Sequence, residues 1–157
     1  MIHEEVSAFA NAIQPDHSLI GLDLGTKTIG VAVSDTILSV ATPIKTIRRQ
    51  KFSIDAELLL GVISNKNCCG VIIGLPKNMD GSEGPRAQST RAFARNFSVK
   101  TNLPITYWDE RLSTVAAEKA LLEADITRKR RAEVIDHVAA AYILQGFLDR
   151  LKVLNKC

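Results

Sequence analysis

Leu19-Ile20-Gly21-Leu22-Asp23-Leu24-Gly25-Thr26-Lys27-Thr28-Ile29-Gly30-Val31-Ala32-Val33-Ser34 is the stretch that decides the fold. Residues 19–24 and 29–34 are short apolar runs of the kind that form strands, and the glycine-containing turn Gly25-Thr26-Lys27 between them predicts a hairpin. A third extended run, residues 40–47, follows closely, and Pro43 places it near a sheet edge because proline cannot donate to a ladder. The chain therefore opens its sheet with an antiparallel meander.

Beyond the meander the periodicity changes. Ser53 is a plausible cap for a helix to about residue 66, with Ile54, Leu58, Val62 and Ile63 as its apolar stripe. Residues 70–74 (GVIIG) read as a strand buried on both faces. A turn-rich loop, residues 75–85 (LPKNMDGSEGP), leads to Pro85, a good first-turn residue for a helix to about 102 that buries Ala87, Ala94 and Phe97. A strand at 105–109, a helix at 113–124, a basic linker at 127–131 and a long helix at 132–153 complete the chain. Upstream, residues 1–14 predict a short helix using Val6, Phe9, Ala10 and Ile13, ended by Pro15 and Asp16 and carried as an appendage. The order is β-β-β-α-β-α-β-α-α: an α/β fold with a mixed sheet, three antiparallel strands followed by parallel ones, flanked by helices. Residues 1–17 are expected as an N-terminal extension and residues 18–157 as a single domain.

Composition narrows the class. Of 157 residues, 46% are apolar and 24% charged, the ordinary globular range, which excludes a disordered or fibrous chain. No run approaches the roughly 18 apolar residues that span a bilayer, and the first residues lack the basic and apolar regions of a leader, so a cytoplasmic protein with no membrane partner is expected. Cys68, Cys69 and Cys157 form no C-x-x-C spacing, so they read as free thiols rather than a zinc or disulfide framework. The formal charge of +3 leans only slightly toward polyanions.

Three carboxylates sit where apolar residues would pack more cheaply. Asp23 ends the first strand, Glu110 follows the strand at 105–109, and Asp136 shares a helical stripe with Ala139, Ala140, Ile143 and Phe147. A buried carboxylate needs a partner. Separate ion pairs are one solution: Asp109 or Glu110 with Arg111, and Asp136 with Arg130 or Arg131. The other is convergence of all three on divalent metal, where oxygen-only ligands suit Mg²⁺ or Mn²⁺ and phosphodiester hydrolysis. Lys27 in the first turn, and Lys77 and Arg86 in and after the 75–85 loop, could meet phosphate, as could Arg111. Two basic runs, Lys45, Arg48, Arg49 and Lys51, and Arg128, Lys129, Arg130 and Arg131, could hold a nucleic-acid backbone or simply be solvated. Aromatics are only 5%, so base stacking is a minor expectation. His3, His17 and His137 make no ligand pattern, and His137 points away from the stripe of Asp136.

Residues 21–35 (GLDLGTKTIGVAVSD), 74–85 (GLPKNMDGSEGP), 109–114 (DERLST) and 135–140 (IDHVAA), in that order, resemble the YqgF (RuvX) family over about residues 19–150. The resemblance implies an RNase H-like fold and an activity described as Holliday-junction resolution or maturation of the small-subunit ribosomal RNA precursor. It implies catalytic and metal-holding roles for Asp23, Glu110 and Asp136. Thr28 stands where the family often has arginine, leaving Lys27 as the cation of that turn, and the start before the first strand is longer than usual. Either ribosomal RNA precursor or branched DNA would be the nucleic-acid partner; a junction resolvase would be a dimer, an RNA trimming enzyme need not be, and the oligomeric state stays open. Two other readings remain: a non-catalytic nucleic-acid-binding module, and an actin-like phosphotransferase, whose phosphate loop Asp23-Leu24-Gly25-Thr26 also resembles.

Overall fold

β2 (Ser18–Leu24) and β5 (Cys68–Leu75), buried along their whole lengths, form the middle of a six-stranded sheet. The computed structural model describes residues 1–112 and 128–155, the side chains of 128–136 and of Asn155 excepted. β3 (Thr28–Ser34) and β4 (Ala41–Arg48) extend the sheet antiparallel from β2, while β5 and β6 (Ile105–Asp109) extend it in parallel on the other side. β1 (Ile2–His3) lies outermost beside β6, giving the order β1-β6-β5-β2-β3-β4. This is the mixed sheet that the sequence predicts, with β4 and its Pro43 at an edge.

Apolar residues on alternate positions feed two separate cores. On one face Leu22, Leu24, Val31 and Ile73 meet α2 (Phe52–Lys66) and α3 (Pro85–Lys100) through Leu59, Phe93 and Phe97. On the other, Leu19, Ala32, Ile72 and Trp108 meet α4 (Arg128–Asn155) through Ala140, Ile143, Leu144 and Phe147, with α1 (Val6–Ala12) against its far end. Cys68 belongs to the first core and Cys69 to the second, because adjacent strand residues point to opposite faces. Both are buried free thiols.

Four local differences from the sequence expectations have physical causes. α2 starts at Phe52, with Lys51 rather than Ser53 at the cap and no side-chain cap. Its buried stripe is Asp55, Ala56, Leu59, Val62 and Ile63, leaving Ile54 38% and Leu58 42% exposed. A strict four-residue row such as 54-58-62 drifts around a 3.6-residue helix, so only its last member stays on the packed face.

The N-terminal segment is not a loose appendage. Ile2 and His3 pair with Ile105 and Thr106, the Ile105 N–H donates to the Met1 carbonyl at 2.9 Å, and Phe9 is wholly buried edge-on to Phe147. Two residues of strand are too few to show periodicity, so only the docked structure reveals them.

Residues 128–131, expected as a linker, lie on the backbone of α4. Arginine and lysine are good helix formers and need no linker of their own. Thr127 and the helix expected at 113–124 lie outside the described residues.

Candidate active site

α4 crosses β2 almost in contact. A Cβ built on Gly21 would lie 2.8 Å from the Leu144 Cβ and 3.2 Å from the Ala140 carbonyl oxygen. Further along α4, Phe147 meets Phe9, which packs over Gly70 near the start of β5. The helix therefore runs against the strand direction, and its N-terminal turns lie toward the strands' C-terminal ends.

Asp23 is at that end, two residues past Gly21 on the same face, and only 6% exposed. Position 136 of the α4 backbone falls one turn before Ala140, also toward that end. The Asp136 side chain lies outside the described residues.

Register explains how so small a neighbourhood accommodates a buried carboxylate. Asp23 pairs with Gly30 on β3, and one step beyond the Leu22–Ile73 pair brings it beside Gly74 on β5. Glycine on both sides leaves the carboxylate in a trough with no strand side chain beside it, roofed over Gly74 by Ile143 of α4, whose Cδ1 is 2.5 Å from where a Gly74 Cβ would stand. Glu110, at the start of the turn Glu110–Leu112 after β6, leans into this trough: its Cδ is 3.4 Å from where a Gly74 Cβ would stand. Asp23 and Glu110 thus both approach Gly74, over which Ile143 also packs. Among the described residues no group of three His, Cys, Asp or Glu side chains gathers for a metal ion. The oxygen-only donors of Asp23 and Glu110 are of the kind that suits a hard divalent cation accepting further oxygen ligands. The row continues from Gly30 to Thr46 on β4, whose hydroxyl is 3.1 Å from His137 Nδ1. His137, which the sequence leads one to expect exposed, is instead half-buried and meets β4 through Thr46.

The cations distribute unevenly. Arg111 is bound up locally: its Nε and terminal nitrogen reach the Asp109 carboxylate at 3.0 and 2.6 Å, and a third nitrogen donates to the Met79 carbonyl. This ion pair is one of the solutions that the sequence offers for Asp109, and it holds the Asp109 carboxyl below its usual range. Arg111 also braces the 75–85 loop where it turns at Gly81, φ +91°, a conformation glycine adopts without strain.

Lys27 is exposed on the hairpin turn, which closes through a 2.8 Å bond from the Gly25 N–H to the Thr28 carbonyl. Lys77 lines a cleft of about 550 Å³ with Arg91, Tyr107 and Arg150. Arg86 lies on the first turn of α3 and reaches the Leu24 carbonyl at 3.4 Å. Arg128, Lys129, Arg130 and Arg131 are placed by backbone only.

Two residues at this end escaped individual notice in the sequence. Gly74, inside an apolar strand, lies beside Asp23 and makes room for Ile143 and Glu110. Arg49, counted only within a basic run, donates to the Gly25 carbonyl at 2.6 Å and stacks 5.8 Å over Phe93. A run of charge gives no sign of which member turns inward.

The family profile described as RuvX, Holliday junction resolvase, matches residues 17–150. A protein of Ruegeria pomeroyi is 68% identical over 154 residues, covering 98% of this chain and 100% of its own length. One of Roseobacter denitrificans is 65% identical over 157 residues, covering 99% and 96%. Both carry the name "Putative pre-16S rRNA nuclease". Among solved structures, RuvC of T. thermophilus in complex with a Holliday junction substrate superposes with TM-score 0.55 over 87% of this chain and 96% of its own, at 12% identity. A second Thermus thermophilus RuvC structure gives 0.54, 86% and 96% at 13% identity. Likeness at such identity establishes the fold.

Proposed function

The chain belongs to the RuvX family, and from that premise we propose that it is a metal-dependent endonuclease that trims the pre-16S ribosomal RNA end. At the coarser level it is a nuclease, a hydrolase of phosphodiester bonds on an RNase H-like fold. The observation that supports a hydrolytic centre here is Asp23, buried between two glycines with Glu110 leaning over one of them. A cytoplasmic location goes with ribosome assembly, and among the described residues no helix is long and apolar enough to cross a membrane.

Asp23, Glu110 and Asp136 would hold Mg²⁺ or Mn²⁺, which when bound supplies an activated water and stabilises the departing oxygen. The chain's own work is positioning. Asp23 is held rigid by the central strand, and Glu110 by the turn that Arg111 and Asp109 pin. α4, docked on Gly21, would bring position 136 toward the same end of the sheet. Lys27, exposed on the turn that follows Asp23, would meet the scissile phosphate; Lys77, Arg86 and residues Arg128, Lys129, Arg130 and Arg131 would hold flanking phosphates. Arg111, with its fork committed to Asp109, would contribute field rather than direct contact.

The relatives' name favours ribosomal RNA; the family description favours a four-way DNA junction as second reading. Cleavage of pre-16S RNA, unrelated single-stranded RNA and a four-way junction, side by side with Mg²⁺ or Mn²⁺, decides between them. Asp23→Asn should fold, since the change is isosteric, and should lose at least a hundredfold in rate, on the order of the loss of one main electrostatic group. Wild-type rates in Asp23→Asn would overturn the site; binding without any cleavage would favour a non-catalytic module.

A further inference from the structure

We propose that Arg49 and Arg86 form one phosphate-holding subsite on the sheet face opposite the carboxylates, so that a bound nucleic-acid strand bends over the Gly25-Thr26 turn from one face to the other. This rests on the nuclease reading and specifies the strand's path. Leu24 follows Asp23 on β2, and its side chain lies with the α2–α3 core while Asp23 lies under α4. Above Leu24 opens a cleft of about 170 Å³, lined by Gly25, Thr26, Arg49, Arg86 and Ser89 among others.

The two guanidinium groups are anchored on adjacent carbonyls: Arg49 on Gly25 at 2.6 Å, Arg86 on Leu24 at 3.4 Å. Phe93 supports the Arg49 plane from beneath. Each anchor uses one of five N–H donors, leaving the rest of both forks for an anion. Among the described residues neither arginine has a carboxylate within ion-pair distance, whereas Arg91 and Arg111 do.

Two like charges held in one concave cleft repel unless an anion sits between them. The first turn of α3, uncapped by any side chain, adds N–H groups of the same sign beside Arg86. Thr26 and Ser89 supply hydroxyl donors. The ligand class is a phosphodiester, for which paired guanidinium forks are suited. Among the described residues no aromatic ring lines the cleft, so it takes backbone rather than base and is indifferent to sequence.

The test is binding of fluorescent single-stranded RNA by the full-length protein in EDTA, titrated against NaCl. Arg49→Gln and Arg86→Gln should each weaken binding about tenfold, equally for oligo-U and oligo-A, and lower the salt slope by about 0.7, the value of one single-strand phosphate. The double variant should lose little more than either single one, because both arginines serve one phosphate. Arg49→Lys should keep the slope but lose affinity, and Lys51→Gln, an exposed cation of the same run, should cost much less. Trp108 fluorescence checks that each variant is folded. Unchanged slopes, additive losses, or effects no larger than that of Lys51→Gln overturn the subsite while leaving the nuclease reading intact. Failure of the wild type to bind any nucleic acid overturns both.

Discussion

Gly21→Ala is a single added methyl whose consequence follows from how closely α4 lies on β2. The new Cβ would stand 2.8 Å from the Leu144 Cβ and 3.2 Å from the Ala140 carbonyl. Carbon atoms pack best at about 3.5–4.0 Å, so the methyl is short of room by roughly 0.7–1.2 Å. Neither obstacle can rotate aside: one is a Cβ and the other helix backbone. The helix must lift or the strand must bend, and overpacking of this kind costs about 1–3 kcal/mol. For a chain of this length each kcal/mol moves Tm by about 2–4 °C, giving a fall of about 2–12 °C. Gly61→Ala is the internal control, because its Cβ meets nothing within 4 Å and it lies in α2. There the same methyl should stabilise by about 0.5–1 kcal/mol through helix propensity. Guanidinium unfolding of both variants, followed by circular dichroism and by fluorescence of Trp108, measures the two signs together. Lifting α4 also displaces position 136 from Asp23, so Gly21→Ala should lose nuclease rate at temperatures where it is fully folded. A Gly21→Ala protein as stable as wild type would refute the close docking that underlies the proposed site.

Phe9→Ala should destabilise by about 3–5 kcal/mol in the same assay, the cost of emptying a wholly buried aromatic position; a change under 1 kcal/mol would return residues 1–14 to a loose appendage. Arg111 holds the Asp109 carboxyl below its ordinary value of 3.8, so the ion pair stabilises the fold above that pH and loses its effect as pH falls through the lowered value. Wild type should therefore exceed Asp109→Asn in stability at neutral pH, the two converging in acid below 3.8; a constant gap would contradict the pairing. Burial pushes the Cys68 thiol up to about 12 and raises Cys69 as well. In a Cys157→Ser background neither thiol should label at pH 8 until the protein is unfolded, and rapid native labelling of either would contradict their burial.

Local chemistry made much of this protein legible in advance. The hairpin from residue 19 to 34 shows in its alternating apolar runs, β5 in its unbroken ones, and α3 in its opening proline, because each of these signals is complete within a few neighbouring residues. Asp23 and Glu110 stood out for the same reason: a carboxylate at the end of an apolar strand is an anomaly visible without a fold. What the chain order does not carry is relative placement. Whether Ile54 or Leu59 faces the core depends on how α2 lies on the sheet, and whether two residues at the N-terminus form a strand depends on an open edge of β6 that is formed a hundred positions later. Gly74 is unremarkable in sequence and comes to lie among Asp23, Glu110 and Ile143 only when register and the docking of α4 bring them together. Arg49 is one of four basic residues until Gly25 and Phe93 select it. Backbone conformation answers to nearby residues, but the partners of a side chain are set by long-range packing, in which residues distant along the chain become neighbours and the cost of burying charge chooses among them.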